Sequence, residues 1–205
     1  MNHDDHVALI RGGIAVTGPA SVACRWLELG AGEGAFTLAL ADVLGPRGRI
    51  VAMDRDRHAL DGMQQRVAAA FPATTVEPVT ADFTRPLPDG PFDGVLAANS
   101  LHFVRDRRPV LDAICSRLAH GGRLVVVEYD ADRGNPWVPH PFSFSSWRRE
   151  AADAGFAETR LLHRAPSRFL GAIYAAVSER ADPGGGRGGA SSVLHSALHG
   201  DDREE

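Results

Sequence analysis

Cysteine occurs only twice in 205 residues and lysine not at all, and no uninterrupted apolar run reaches the ~18 residues a membrane span needs. Cys24 and Cys115 lie far apart, each in an apolar segment. They read as small core residues of a reducing compartment, which excludes a disulfide framework or a zinc cluster. An excess of positive charge is missing too. The 22 basic and 26 acidic side chains give a net charge of −4 and a pI near 6.1, so no global field draws the chain to nucleic acid or anionic lipid. The first residues, MNHDDHVALIRGG, carry early acids and no long apolar stretch, which argues against a secretory signal. The expected address is the cytoplasm.

What is present is ordinary for a globular chain, with 44% hydrophobic and 23% charged residues. This length suits roughly one domain, large enough to bury a core without staples. Residues 1–181 are expected to form that domain. Residues 182–205, rich in Gly and Ser and ending in charge, read as a disordered tail, because they hold too little apolar surface to offset ordering entropy.

Short apolar runs alternate with helical patterns. Strands are expected at 24–29, 49–53, 74–80, 92–98 and 123–129. Helices are expected at 34–44, at 56–71 with Asp56 as N-cap, and at 107–119 with Gly121-Gly122 as the stop. Strands apolar on both faces and separated by helices imply βαβ units and a parallel sheet with right-handed crossovers. A helix near 146–154 precedes segments 158–163 and 168–177, which read as a terminal hairpin joined at Pro166-Ser167. The fold class is therefore α/β, a Rossmann-like doubly wound and mostly parallel sheet with a C-terminal antiparallel hairpin strand. Residues 130–146, with three prolines and several aromatics, form a loop too long for a connector and read as a lid or binding loop.

The most informative stretch is Glu28-Leu29-Gly30-Ala31-Gly32-Glu33-Gly34, which leaves a strand and opens a helix. Its glycines allow positive φ and close backbone approach of a ligand, and the helix N-terminus adds a positive dipole end. In an open α/β sheet, ligands bind outside the carboxyl ends of the strands. The run also satisfies the dinucleotide fingerprint G-x-G-x-x-G/A, and Asp54 stands where an acid would bind ribose hydroxyls. A nucleoside ligand follows more firmly than its identity. Glu28 and Glu33 tilt the balance: both would repel a pyrophosphate, whereas a sulfonium or amino cation would welcome at least one.

The segments ELGAGEGAFT, RIVAMDRD, TADFTRPLP, FDGVLAANSLHF and GGRLVVVEY, in this order across residues 26–129, resemble the class I S-adenosylmethionine-dependent methyltransferases, most of all those of the ubiquinone/menaquinone-biosynthesis type. The resemblance implies S-adenosyl-L-methionine as cofactor. Gly30, Ala31, Gly32 and Gly34 would meet its methionine half, with Glu28 facing the α-amino group. Asp54 would bind the ribose diol and Arg55 pack near the adenosine edge. Asp82 would accept from the adenine amino group, beside the Phe83 N–H. Asn99 would lie under the methyl donor, with Leu101 and His102 beside the transferred methyl. His102 is read as a general base or as a pocket residue giving shape. Glu128 and Tyr129 end the fifth strand at the same edge, Glu128 more as a structural hydrogen-bond partner.

Methyl transfer from a sulfonium needs alignment and exclusion of water more than covalent help, which fits the lack of a triad or paired catalytic carboxylates. The acceptor is expected to be a small molecule, covered by residues 6–14 and 137–147 through Val7, Leu9, Ile10, Trp137, Phe142 and Phe144. The residues after strand four, Asn99-Ser100-Leu101-His102, lack the Asn-Pro-Pro-Tyr type of signature and argue against methylation of adenine or glutamine amino groups. No metal is expected; His3, His6, Asp4 and Asp5, and the pair His195 and His199, fall near the termini. The alternatives are a nicotinamide-dependent oxidoreductase, which the absent lysine deprives of a Tyr-x-x-x-Lys pair, and a binding module without turnover.

Overall fold

The computed structural model describes residues 1–14 and 23–181; the expected tail, with His195 and His199, lies outside the described residues. A short N-terminal helix, α1 (His3–Ile10), is followed by β1 (Cys24–Leu29), α2 (Ala35–Leu44), β2 (Gly48–Asp54), α3 (Arg57–Ala70), β3 (Thr75–Thr80) and β4 (Phe92–Ala98). Then come α4 (Arg108–Arg117), β5 (Leu118–Tyr129), α5 (Phe144–Asp153), β6 (Phe156–Ser167) and β7 (Gly171–Arg180). The sheet order is β3-β2-β1-β4-β5-β7-β6. The first five strands pair in parallel, and β7 inserts antiparallel between β5 and β6. The expected doubly wound sheet with an antiparallel hairpin is therefore the fold.

Strand alternation divides the core into two layers. Trp26 and Ile50 face a layer with α1, α2 and α3, where Leu9, Ile10, Phe36, Leu40 and Met63 are buried. Leu27, Leu29 and Val51 face the other, with Val110 and Ile114 of α4 and Trp147 of α5. Helix α3 shows how local sequence sets an element. Asp56 caps it by accepting from the N–H groups of His58 and Ala59 at 2.9 and 3.1 Å, and Leu60, Met63 and Val67 bury its inner stripe. Gly94 has no room for a side chain, since a Cβ there would stand 2.4 Å from the Trp26 ring.

The structure departs from expectation in several places. Helix α4 ends at Arg117, because Leu118 turns extended and pairs with Phe92; β5 thus begins before Gly121-Gly122, which fall in an irregularity of the strand where Gly121 takes φ +69°. The hairpin turn lies beyond Pro166-Ser167, since Ser167 already pairs with Gly171. Helix α1 has no counterpart in the sequence reading; Asn2 and Asp5 form its capping box. Among the described residues no helix is long and apolar enough to cross a membrane.

Candidate functional site

The chain turns back at β1: β2 and β3 lie on one side of it, β4 and β5 on the other. At that switch point the carboxyl ends of β1, β2 and β4 converge, and ligands of open α/β sheets bind at such places. A cleft of about 220 Å³ opens there, lined by Gly30, Asp54, Arg55, Phe83, Asn99, Ser100 and Phe103.

The loop after β1 is built by backbone bonds. Gly30 and Ala31 donate their N–H groups to the Met53 carbonyl at 2.8 and 3.0 Å, and Gly34 donates to Ala31 O at 2.9 Å. Asp54 Oδ2 accepts from Gly32 N and Oδ1 from Asp56 N, at 2.8 and 2.9 Å, so one carboxylate ties this loop to the end of β2. The Arg66 guanidinium of α3 donates to the Glu33 carbonyl. Gly30 and Gly34 are needed for space as well as for φ of +75° and +86°. A Cβ on Gly30 would stand 2.6 Å from Ser100 Cβ, and one on Gly34 would stand 2.2 Å from Met63 Cγ. Gly32, with φ +51°, has nothing within 4 Å of such a Cβ.

Behind the loop Glu28 is buried, 1% exposed. Burial pushes its carboxyl up to about 8; neighbouring Thr37 favours the charged form and Asp54 opposes it. Glu28 Oε2 and Thr37 Oγ1 are both buried without a hydrogen-bond partner. Two further unpaired groups sit at the tip of β4. Asn99 takes φ +52°, the left-handed region that asparagine tolerates better than most side chains, and its N–H donates to Val127 O at 2.8 Å. Asn99 Oδ1 and Ser100 Oγ lack partners. A buried acid, an amide oxygen and a hydroxyl left unpaired around one cleft fit a ligand bearing a cationic amine and hydroxyl donors.

Asp82 stands beyond β3, where its Oδ1 accepts from Thr84 N and Thr84 Oγ1 at 2.9 and 2.7 Å; the Thr84 backbone bond, then the hydroxyl, hold its carboxyl below the usual range. Its other oxygen has no hydrogen-bond partner among the described residues.

His102 and Glu128 form a buried pair. Glu128 Oε1 accepts from Leu101 N and His102 N at 3.0 and 3.2 Å, and Oε2 accepts from the His102 Nδ1–H at 2.8 Å. His102 is 3% exposed and touches the rings of Phe103 and Tyr129, with centroids 4.2 and 5.8 Å away. It lines neither this cleft nor the larger cavity beside it.

That larger cavity, about 410 Å³, lies between Asn99, Tyr129, Ile173 and the β6–β7 turn, with Met1 at its edge. The expected covering side chains are engaged elsewhere. Val7, Leu9, Ile10 and Phe142 are core residues and Phe144 packs on the core, which leaves Trp137, 75% exposed. The segment after β5 is held down: Asn135 Oδ1 accepts from Trp137 N and Val138 N, and His140 donates its N–H to His102 O. His3 bonds Asp42 at 2.9 Å and His6 packs on Phe36, so neither faces the cleft.

The structure thus brings Gly30, Asp54, Arg55, Phe83 and Asn99 to the lining of one cleft, while Glu28, Ala31, Gly32, Gly34, Asp82 and His102 do not line it. The sequence reading missed Ser100 and Phe103 as lining residues. Phe103 carried a signal, being an aromatic just past a strand end and outside any core periodicity; it is 58% exposed.

A family described as a methyltransferase domain matches residues 20–162. Over 125 residues the chain is 34% identical to the ubiquinone/menaquinone biosynthesis C-methyltransferase UbiE of Ectopseudomonas mendocina, a match covering 59% of this chain and 48% of that protein. The chain spans about half the length of the curated relatives it matches. Among solved structures, the YcgJ protein of Bacillus subtilis superposes with a TM-score of 0.68 at 14% identity, covering 88% of this chain and 100% of that one. A putative O-methyltransferase of Nostoc punctiforme does so with 0.67 at 21% identity, covering 86% and 56%. These two likenesses are of fold.

Proposed function

Since the chain belongs to the methyltransferase-domain family, we propose that residues 1–181 form an S-adenosyl-L-methionine-dependent methyltransferase acting on a small-molecule acceptor. The observation that carries this reading is the buried Glu28 Oε2, left without a hydrogen-bond partner under a glycine loop at the β1/β4 switch point. Such a group favours a cationic amine and disfavours a pyrophosphate. A pyrophosphate would also find the N–H groups of Gly30, Ala31, Gly32 and Gly34 already donating within the protein, which counts against the dinucleotide alternative.

When bound, S-adenosyl-L-methionine supplies a methyl group activated on sulfonium, passed in line to an acceptor lone pair while the carbon–sulfur electron pair stays on sulfur. The chain's own work is to bind and align. Glu28 holds the amino end as a carboxylate, having given up its proton to solvent. Asp54 keeps lone pairs free after its two backbone bonds and accepts from the ribose diol. The second Asp82 oxygen accepts from the adenine amino group, with Phe83 and Arg55 along the ring edge. Asn99 Oδ1 stands at the reacting end. His102 acts as a positioning residue: clamped by Glu128, it shapes the turn that carries Ser100 and Phe103. The rings of Phe103 and Tyr129 exclude water.

Calorimetric titration with S-adenosylhomocysteine tests the reading. Wild-type protein is expected to bind and Asp54→Ala to lose about 1–3 kcal/mol, the range for charge-assisted hydrogen bonds. No heat at high micromolar ligand, or thermal protection by NAD instead, overturns it.

A further inference from the structure

The larger cavity carries chemistry of its own. Asn99 belongs to the walls of both the cleft and this cavity. A compound in the cavity therefore reaches the reacting end of the cleft at that one residue. Its volume, about 410 Å³, falls within the range of small-ligand pockets.

Two features of its wall select a ligand. Tyr129 and Phe169 stand edge to face, with centroids 6.2 Å apart and planes at 63°, and Phe169 is 64% exposed at the hairpin turn, an aromatic ring left in water with no core to serve. Such rings favour a flat partner. Beside Phe169, Arg168 has no hydrogen-bond or ion-pair partner among the described residues. Arg164, on the same hairpin, is by contrast paired with Asp130 at 2.6 Å. The cavity lining contains no carboxylate to neutralise Arg168. A guanidinium presents a planar fork that matches a carboxylate with two parallel hydrogen bonds.

We infer that this cavity is the acceptor site, and that the acceptor is a flat, ring-containing carboxylic acid whose ring lies against Tyr129 and Phe169 and whose carboxylate is held by Arg168. This rests on the methyl-transfer reading and narrows its substrate class.

The test uses full-length protein saturated with S-adenosylhomocysteine and three probes: 2-naphthoate, 2-naphthamide and 2-naphthyl phosphate, followed by saturation-transfer NMR and fluorescence titration. The acid is expected to bind about tenfold or more tightly than the neutral amide, the scale of one charge-assisted contact. Arg168→Ala should erase that preference, Arg168→Lys restore part of it, and Phe169→Ala weaken acid and amide alike. Equal affinity for acid and amide, a preference that survives Arg168→Ala, no binding of any probe, or tighter binding of the phosphate would each overturn the inference. Failure of S-adenosylhomocysteine itself to bind the same samples would instead bring down the methyl-transfer reading. Arg168→Ala should leave that affinity unchanged.

Discussion

Glu128 Oε2 lies 2.8 Å from His102 Nδ1, with neither side chain more than 4% exposed. The other oxygen of the same carboxylate accepts from two consecutive backbone N–H groups, those of Leu101 and His102. One side chain at the end of β5 therefore fixes the turn that follows β4. Two strand ends are locked together where the cleft meets the larger cavity.

Glu128→Gln exchanges one acceptor oxygen for an NH2 group, so His102 Nδ1 keeps a partner only by switching to the acceptor tautomer, and the bonds from Leu101 N and His102 N lose the carboxylate charge. The expected outcome is destabilisation of about 1–3 kcal/mol, read as a lower urea midpoint with unchanged slope. If the midpoint stays where it was, the carboxylate does not hold this turn.

Glu28 makes stability pH-dependent in a stated direction. Its carboxyl titrates near 8 in the folded chain against 4.5 for the unperturbed group, so between those values the folded state holds the extra proton. Ionisation penalises folding, and stability falls as pH rises through that window, at ~1.4 kcal/mol per unit. Glu28→Gln should remove the penalty. The variant is expected to be more stable than wild type by about 3 kcal/mol at pH 7 and nearly equal to it at pH 4.5. Denaturation curves of both proteins across that range decide the matter; parallel pH profiles would show that Glu28 ionises freely.

The same proton should leave when the cofactor site fills. At pH 6.5 Glu28 is mostly protonated in the folded chain, and a cationic amine beside it favours the carboxylate. S-adenosylhomocysteine binding is then expected to release close to one proton. Calorimetry in phosphate and in Tris, whose ionisation heats differ, measures that number. Glu28→Gln should abolish the buffer dependence and weaken binding; a dependence that persists in the variant would assign the proton to another group.

Alanine substitutions along the glycine loop should separate strain from clash. At Gly32 the cost is that of positive φ alone, about 1–2 kcal/mol, because the site is open. Gly30→Ala and Gly34→Ala add contacts of 2.6 and 2.2 Å to Ser100 and Met63 and should destabilise more. Three urea midpoints test the order. Gly32→Ala as the most damaging of the three would contradict it.

Much of this molecule is set by residues close together in the chain. Strands Cys24–Leu29 and Phe92–Ala98, the Asp56 cap and the sharp turn at Gly30–Gly34 follow from local periodicity and backbone freedom, which act over a few residues. Alternation of such units suffices to dictate a doubly wound sheet and hence where its ligand crevice lies. Sequence alone left the fates of the apolar side chains open. Phe142 and Trp147 could serve a lid or a core with the same composition, and packing against Tyr174 and Phe156 made them core. Leu118 extended a strand only because Phe92 waited beside it. The clamp of Glu128 on His102, and the meeting of Tyr129 with Phe169 and Asn99, join positions dozens of residues apart. Contacts of that reach depend on how layers pack and where a hairpin turns, and no local pattern encodes them.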